Sequence, residues 1–187
     1  ASAGGTNTTG GDNAFFGRSA GFANTTGANN AFFGAFAGDS NTIGGSNAFF
    51  GRNAGTANTM GNGNAFFGED AGLSNTTGSG NAFFGRAAGL GNTTGANNTL
   101  IGEGANVAAT GLSFATAIGA GAFVTFSNRV QLGRGGFDTV SVGLLAAATA
   151  VQLCINGTVI ASCSSSARYK ENIRPFAAGI DLVRRLR

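Results

Sequence analysis

The chain contains no histidine and no tryptophan, and only one proline, one tyrosine, one methionine and two cysteines. Without histidine it lacks the commonest metal ligand and the one side chain that titrates near neutral pH unaided. Cys154 and Cys163 stand alone, outside any ligand cluster, and the aspartates do not fall into a calcium-binding repeat. No metal and no cofactor is therefore expected. No apolar run reaches the ~18 residues that a membrane-spanning helix requires, so no membrane span is expected. Charged residues are scarce as well, at 10% of 187 positions, yet 42% are hydrophobic and 17 are phenylalanine, which separates the chain from disordered sequences. The charge is unevenly placed. Residues 1–125 hold three arginines and five acids, and residues 126–187 hold the other eight basic residues and three acids. That local basic excess has no interleaved aromatic pattern, so nucleic acid is not an expected partner.

What the chain does have is repetition. Asn-Ala-Phe-Phe-Gly begins at Asn13, Asn30, Asn47, Asn64 and Asn81, always 17 residues apart, and looser copies follow at residues 98–102 and 115–119. A second element, Asn-Thr-x-Gly, recurs in step from Asn7 through Asn24, Asn41, Asn58, Asn75 and Asn92. A fixed short period means one structural unit stacked on itself. It also argues against an enzyme here, because catalysis needs one unique constellation. The chain starts in mid-repeat without a methionine, which points to a piece of something longer.

Each unit is too short for a helical pair, and its glycine and asparagine content disfavours helix. Two short strands and two turns fit, with the glycine after each strand supplying the unusual backbone angles of the bend. The expected architecture is all-β: a parallel β-solenoid or β-roll, each coil rising by roughly 4.8 Å. Adjacent side chains on a strand face opposite ways. The fourth position of the unit stays bulky in every copy, as Phe16, Phe33, Phe50, Phe67, Phe84, Ile101 and Ile118. It is accordingly assigned to the coil core, beside the alanines at the eighth position. The third position drifts from Phe15, Phe32, Phe49, Phe66 and Phe83 to Leu100 and Ala117. That column is assigned to the outside. A ladder of five exposed rings exceeds what a monomer normally shows to water, so it is expected to be the chain–chain interface of a homotrimer, three-fold packing being the natural way for a thin roll to hide one edge. A carbohydrate- or lipid-binding strip is the competing role, but such strips favour tryptophan or tyrosine, absent from the repeats. The asparagine columns read as stacked amides. The sequons at Asn7, Asn24, Asn75, Asn92 and Asn97 read as a by-product of the repeat. An ice-binding role for the threonines is disfavoured, because Ile43 and Met60 interrupt the second column and adjacent residues face opposite ways.

The period fails near Ser127. Residues 129–133, 139–143 and 151–161 suggest short strands, which we assign to an intertwined β neck spanning 126–164. Asn156-Gly157 marks a tight hairpin that sets Cys154 opposite Val159 rather than Cys163. An intrachain disulfide then needs a wider loop or displaced strands; free thiols are the preferred state, and a bridge between chains stays open. Residues 181–186 suggest a short helix.

Two resemblances cover most of the chain. Residues 1 to about 125, with Asn98-Thr99-Leu100-Ile101-Gly102 as the nearest match, resemble the left-handed β-roll heads of YadA-type trimeric adhesins. That likeness implies a trimer at a cell or virion surface but no receptor; a cell-surface glycan or receptor is a further partner expected of an attachment fibre. Residues 165–175, Ser-Ser-Ala-Arg-Tyr-Lys-Glu-Asn-Ile-Arg-Pro, resemble the opening of the intramolecular chaperone domain of phage endosialidases and tail fibres. In that family the domain guides trimer assembly and then cuts itself off. Carried over by position, the resemblance implies Ser165 as nucleophile, Lys170 as base and cleavage between Ser164 and Ser165. The chemistry is coherent, since Arg168 and Arg174 are nearby cations that would lower the lysine pKa. Ser166 departs from the family's aspartate. Residues 165–187 would be only a stub of the domain, so autoproteolysis is expected in the full-length precursor alone, and the chain itself is not expected to be an enzyme. The resulting expectation is an extracellular structural fibre that registers its chains through a C-terminal chaperone. The alternatives are a bacterial filament or adhesin subunit that polymerises head to tail, and a self-cleaving serine–lysine protease.

Overall fold

The computed structural model describes residues 2–138 and two short strands at 153–156 and 159–162. Residues 2–138 form an all-β parallel solenoid of about seven turns. One wall is an eight-stranded parallel sheet made of β1 (Ala14–Phe16), β2 (Ala31–Phe33), β3 (Ala48–Phe50), β4 (Ala65–Phe67), β5 (Ala82–Phe84), β6 (Thr99–Ile101), β8 (Thr116–Ile118) and β10 (Val130–Leu132). Every neighbouring pair is in register, Phe32 beside Phe49 and Phe49 beside Phe66. On the opposite wall, β7 (Asn106–Val107) pairs with β9 (Phe123–Val124), also parallel. No helix occurs among the described residues.

The backbone of each coil is satisfied by the coils on either side. Thr25 N donates to Thr42 O at 2.8 Å and Ala14 N donates to Asn30 O at 2.8 Å, and both contacts recur coil after coil. The asparagines close what the strands leave open. In one column the amides form a ladder: Asn41 Nδ2 donates to Asn24 Oδ1 at 2.8 Å, Asn58 to Asn41 at 2.9 Å and Asn75 to Asn58 at 2.9 Å. Each of these amides also donates to the glycine carbonyl that closes its own turn, as Asn41 does to Gly44 at 2.9 Å. The other column works differently. Asn30 Oδ1 accepts from Asn47 N at 3.0 Å, while Asn30 Nδ2 donates to Gly44 O at 2.9 Å. So only one of the two asparagine columns is an amide-to-amide ladder; the other bonds to backbone. Among the described residues, no buried side-chain nitrogen or oxygen lacks a partner.

The core corrects the expected facing of the two phenylalanines. Phe32, Phe49, Phe66, Phe83, Leu100 and Ala117 are 0% exposed, and Phe15 packs half-buried against them. The third position, assigned to the outside from its drift in size, is the coil core. Phe16 is 68% exposed, Phe84 40%, Ile101 39% and Ile118 41%, with Phe33, Phe50 and Phe67 half-buried, so the fourth position lies outside. The physical reason is on the opposite wall. Gly38 at the ninth position has a φ of +57°, and a Cβ there would come within 2.5 Å of the Phe32 ring. That glycine makes the space the ring fills, and Gly55, Gly72 and Gly89 repeat the arrangement. In the two coils where the third position shrinks, Asn106 and Phe123 replace this glycine, and Val107 and Val124 are buried in the same core. The third position thus falls from Phe to Leu100 and Ala117 in the coils where a valine at the tenth position enters the core. The eighth-position alanines sit as expected in the thin interior, with Ala37, Ala54, Ala71 and Ala88 at 0% exposure. The glycine after each strand bears out its expected role: φ is +143° at Gly34 and +145° at Gly51, and a Cβ on Gly34 would lie 2.4 Å from Gly51 O of the next coil.

The expected boundary near residue 125 also shifts. β10 continues the main sheet, with Val130 beside Thr116 and Leu132 beside Ile118. The last coil is three residues shorter than 17, lost from the wall opposite, so the count changes while the sheet does not. The compact unit runs to Val140, and residues 129–133 are solenoid rather than neck. In the second unit, β11 (Leu153–Asn156) and β12 (Val159–Ser162) form the expected antiparallel hairpin. Cys154 pairs with Ala161, not Val159, because the strands are joined by Gly157-Thr158 rather than Asn156-Gly157. Residues 139–143, Cys163 and the helix expected at 181–186 lie outside the described residues.

Replacing Phe49 by alanine opens a cavity with no side chain able to fill it and should cost about 3–5 kcal/mol in denaturant unfolding. The neighbouring Phe50→Ala should lower stability far less. Asn58→Ala should cost about 2–4 kcal/mol, because it leaves Asn41 Oδ1 buried without a donor and takes from Asn75 Nδ2 one of its two acceptors, the other being Gly78 O. Equal effects from Phe49→Ala and Phe50→Ala would contradict the facing described above.

Candidate assembly surface

The most distinctive surface of the solenoid is the outer face of its main sheet. The second and fourth positions of every strand point outward there, and the fourth carries Phe16, Phe33, Phe50, Phe67, Phe84, Ile101, Ile118 and Leu132 in one straight line. Its rings stack nearly parallel: Phe33 and Phe50 lie 4.8 Å apart at 6°, Phe50 and Phe67 4.8 Å apart at 4°, and Phe67 and Phe84 5.0 Å apart at 5°. Alanines at the second position flank the rings and give way to Thr99, Thr116 and Val130. The small angles mean that each ring lies face to face on the next from Phe16 to Phe84.

Two positions further on runs a column of charge. It reads Arg18, Ala35, Arg52, Glu69, Arg86, Glu103, Ala120, Arg134. Arg52 pairs with Glu69 and Arg86 with Glu103 across adjacent coils. The hydrogen bond and charge of Glu69 hold the Arg52 guanidinium above its ordinary pKa. Arg18 lies over the Phe36 ring at 4.4 Å. Arg134 pairs with Asp138 at 3.0 Å, and hydrogen bonds from the Arg134 side chain and backbone pull the Asp138 carboxyl below its usual value. This column was not singled out from the sequence. Its signal was the alternation of Arg52, Glu69, Arg86 and Glu103 at intervals of 17.

The chain–chain role expected of Phe15, Phe32, Phe49, Phe66, Phe83 and Leu100 is not open to them, since these side chains fill the coil. The residues that can meet another chain are those expected inside, the Phe16 column. Ser165 and Lys170, the residues of the expected autocleavage, lie outside the described residues. Asn24, Asn75 and Asn92 are fully buried with their amides bonded, which removes three of the five sequons as glycan acceptors in the folded chain. The threonine column also faces its own backbone: Thr25 Oγ1 donates to Thr42 O at 3.0 Å and Thr42 Oγ1 to Thr59 O at 3.0 Å. Among the described residues no cluster of acids and cysteines is arranged to hold a metal, and no helix is long and apolar enough to cross a membrane.

No protein-family model, curated protein or solved structure matches the chain.

Because the Arg–Glu pairs lie on the surface, they contribute little to the stability of a single solenoid. Glu69→Gln should leave the denaturation midpoint of the isolated chain within experimental error of the parent, while Asn58→Ala shifts it clearly. A large loss with Glu69→Gln would mean that the column holds the coils together.

Proposed function

We propose that the repeat region is a structural rod of an extracellular fibre, and that copies of the chain associate through the outer phenylalanine strip. The observation that carries this reading is the strip itself. It is a continuous apolar line over eight strands, on a solenoid whose interior is filled and whose buried side-chain polar atoms are all bonded among the described residues. Contiguous apolar patches of this extent mark interaction sites. Such a face serves attachment by spacing and presenting other parts of a fibre, and it calls for no catalytic group. The resemblance to trimeric β-roll heads supports a surface location and suggests three chains as one arrangement. The resemblance of residues 165–175 to the start of an intramolecular chaperone adds a means of aligning identical repeats, which otherwise slip by one coil at little cost. Autocleavage before Ser165, with Lys170 as base, belongs to the same proposal.

Phe50→Ser should abolish association in sedimentation velocity and leave the far-UV circular dichroism of the solenoid unchanged. A parent chain that sediments as a monomer at all concentrations would overturn the reading. Electron micrographs of short particles of fixed length would favour a discrete appendage, and indefinite fibrils with axial periodicity a filament. For the cleavage, a precursor extended beyond residue 187 should be trimmed when carrying Ser165 and remain intact as Ser165→Ala by mass spectrometry. Equal trimming of both would remove the serine–lysine mechanism.

A further inference from the structure

We infer that the outer strip is built to pair with a second copy of this chain in antiparallel orientation, the first strand of one solenoid lying over the eighth strand of the other. The inference rests on the reading that copies associate through this face; it adds the partner's orientation and register, and because it sets the residue-138 ends of the two solenoids apart, alignment by the C-terminal chaperone-like segment is no part of it.

The argument begins with geometry. When two sheets pack face to face, a two-fold axis parallel to the strands reverses the solenoid direction and keeps each column opposite itself. The charge column then meets the partner's charge column. An axis parallel to the solenoid, two-fold or three-fold, instead carries that column to the far edge of the strip, where it meets neutral residues. Only the antiparallel arrangement makes use of the charge pattern.

The register follows from the charge column. Full overlap of all eight strands sets each coil opposite the one that completes the order from the other end. In that register Arg52 faces the partner's Glu103, and Glu69 faces the partner's Arg86. The symmetry repeats both contacts, so the four charges that pair within each chain also find opposite charges across the interface. Ala35 faces Ala120. Arg18 faces Arg134, whose charge is already met by Asp138. A shift by one coil in either direction sets like charges or uncharged residues opposite one another.

Side-chain size fits the antiparallel orientation and is compatible with that register. Five rings are followed by Ile101, Ile118 and Leu132. In the antiparallel pair Phe16 lies over Leu132, Phe33 over Ile118 and Phe50 over Ile101, with Phe67 over Phe84 at the centre. Large opposes small at both ends, and ring meets ring only at the centre. In a parallel pair, ring would oppose ring and aliphatic oppose aliphatic, and the gap would taper. The strip is about 34 Å long from its strand spacing and roughly 15–20 Å wide with its flanking columns. Each partner would bury on the order of 600 Å², which reaches the lower end of the range for a stable pair.

The test uses the full chain with Cys154→Ser and Cys163→Ser as background. Arg86→Glu with Glu103→Arg keeps the 52–69 and 86–103 charge pairs and the net charge, but it sets like charges opposite each other across the interface; because it also brings two carboxylates together at 69 and 86 within the chain, its denaturation midpoint at monomer concentration is measured alongside and should stay near the parent's. Its dimer dissociation constant at low salt should rise by on the order of tenfold or more, since opposed like charges are strongly unfavourable. Adding Arg52→Glu and Glu69→Arg inverts the four central charges and should restore the parental constant. In the same background, a bis-maleimide of about 10 Å reach, the usual spacing of packed sheets, should link a mixture of Ala35→Cys and Ala120→Cys chains into a heterodimer. Ala35→Cys chains alone should give no such product. Association that is indifferent to both charge sets, or a trimer without the 35-to-120 link, would overturn the antiparallel pairing and leave assembly through the strip standing. A parent chain that stays monomeric would overturn both.

Discussion

Like must stack on like in this molecule. A constant period places every residue directly above its own counterpart in the next coil, a strand spacing of about 4.8 Å away. Only side chains that are complementary to themselves can form such a column. Phenylalanine can, because rings stack in parallel offset. Asparagine can, because one amide both donates and accepts, so Asn41 gives to Asn24 and receives from Asn58. Threonine manages it by turning its hydroxyl to the carbonyl of the next coil. Lysine and glutamate cannot stack on themselves. The low charge of the chain is thus a condition of the fold and not a matter of solubility alone. Where charge does enter a column, it alternates or stands next to a neutral residue, as Arg52 over Glu69 and Asn53 beside Asp70 at 2.9 Å show.

The second constraint is thinness. A coil with two walls and one layer of side chains between them has a fixed depth, and whatever one wall supplies the other must leave room for. The Phe32 ring lies against Gly38 because nothing larger than hydrogen fits under it. When Val107 and Val124 enter from the second wall, the first wall recedes to Leu100 and Ala117. Size at a core position is therefore exchanged between walls. On the outer face there is no opposing wall within the chain, so the fourth position has nothing to trade against.

This explains what was legible in the sequence and what was not. The period, the all-β class, the parallel register and the glycine bends all follow from residues that recur at fixed spacing, and the solenoid has each of them. Alternation along Ala14-Phe15-Phe16 shows that the two rings face opposite ways but not which faces in. Constancy of bulk at Phe16 through Ile118 reads as burial if each position is judged alone. The deciding residues, Gly38 and its counterparts, lie six positions away on the other wall, and only their covariation with the third position carries the answer. The boundary at Ser127 was misjudged for a related reason. A count of residues sees the three lost from the last coil, whereas the sheet keeps Val130 beside Thr116 because its own segment is intact.

The same constraint bears on assembly. A column that is complementary to itself within a chain is indifferent to register between chains, since every coil offers the same ring. Phe33, Phe50 and Phe67 can hold two solenoids together but cannot say how far one should slide along the other. Register requires columns that break the repeat, and the outer face has two: the change from ring to aliphatic after Phe84, and the ordered alternation of Arg52, Glu69, Arg86 and Glu103. Stacking within the chain accounts for the alternation, because it keeps like charges apart. It does not account for the placement of that alternation beside the strip and about its centre. Neither does it account for the uncharged Ala35 and Ala120 that bracket it symmetrically. That symmetry about the boundary between β4 and β5 is a property of the whole face, and a second copy of the same face is the partner to which it corresponds.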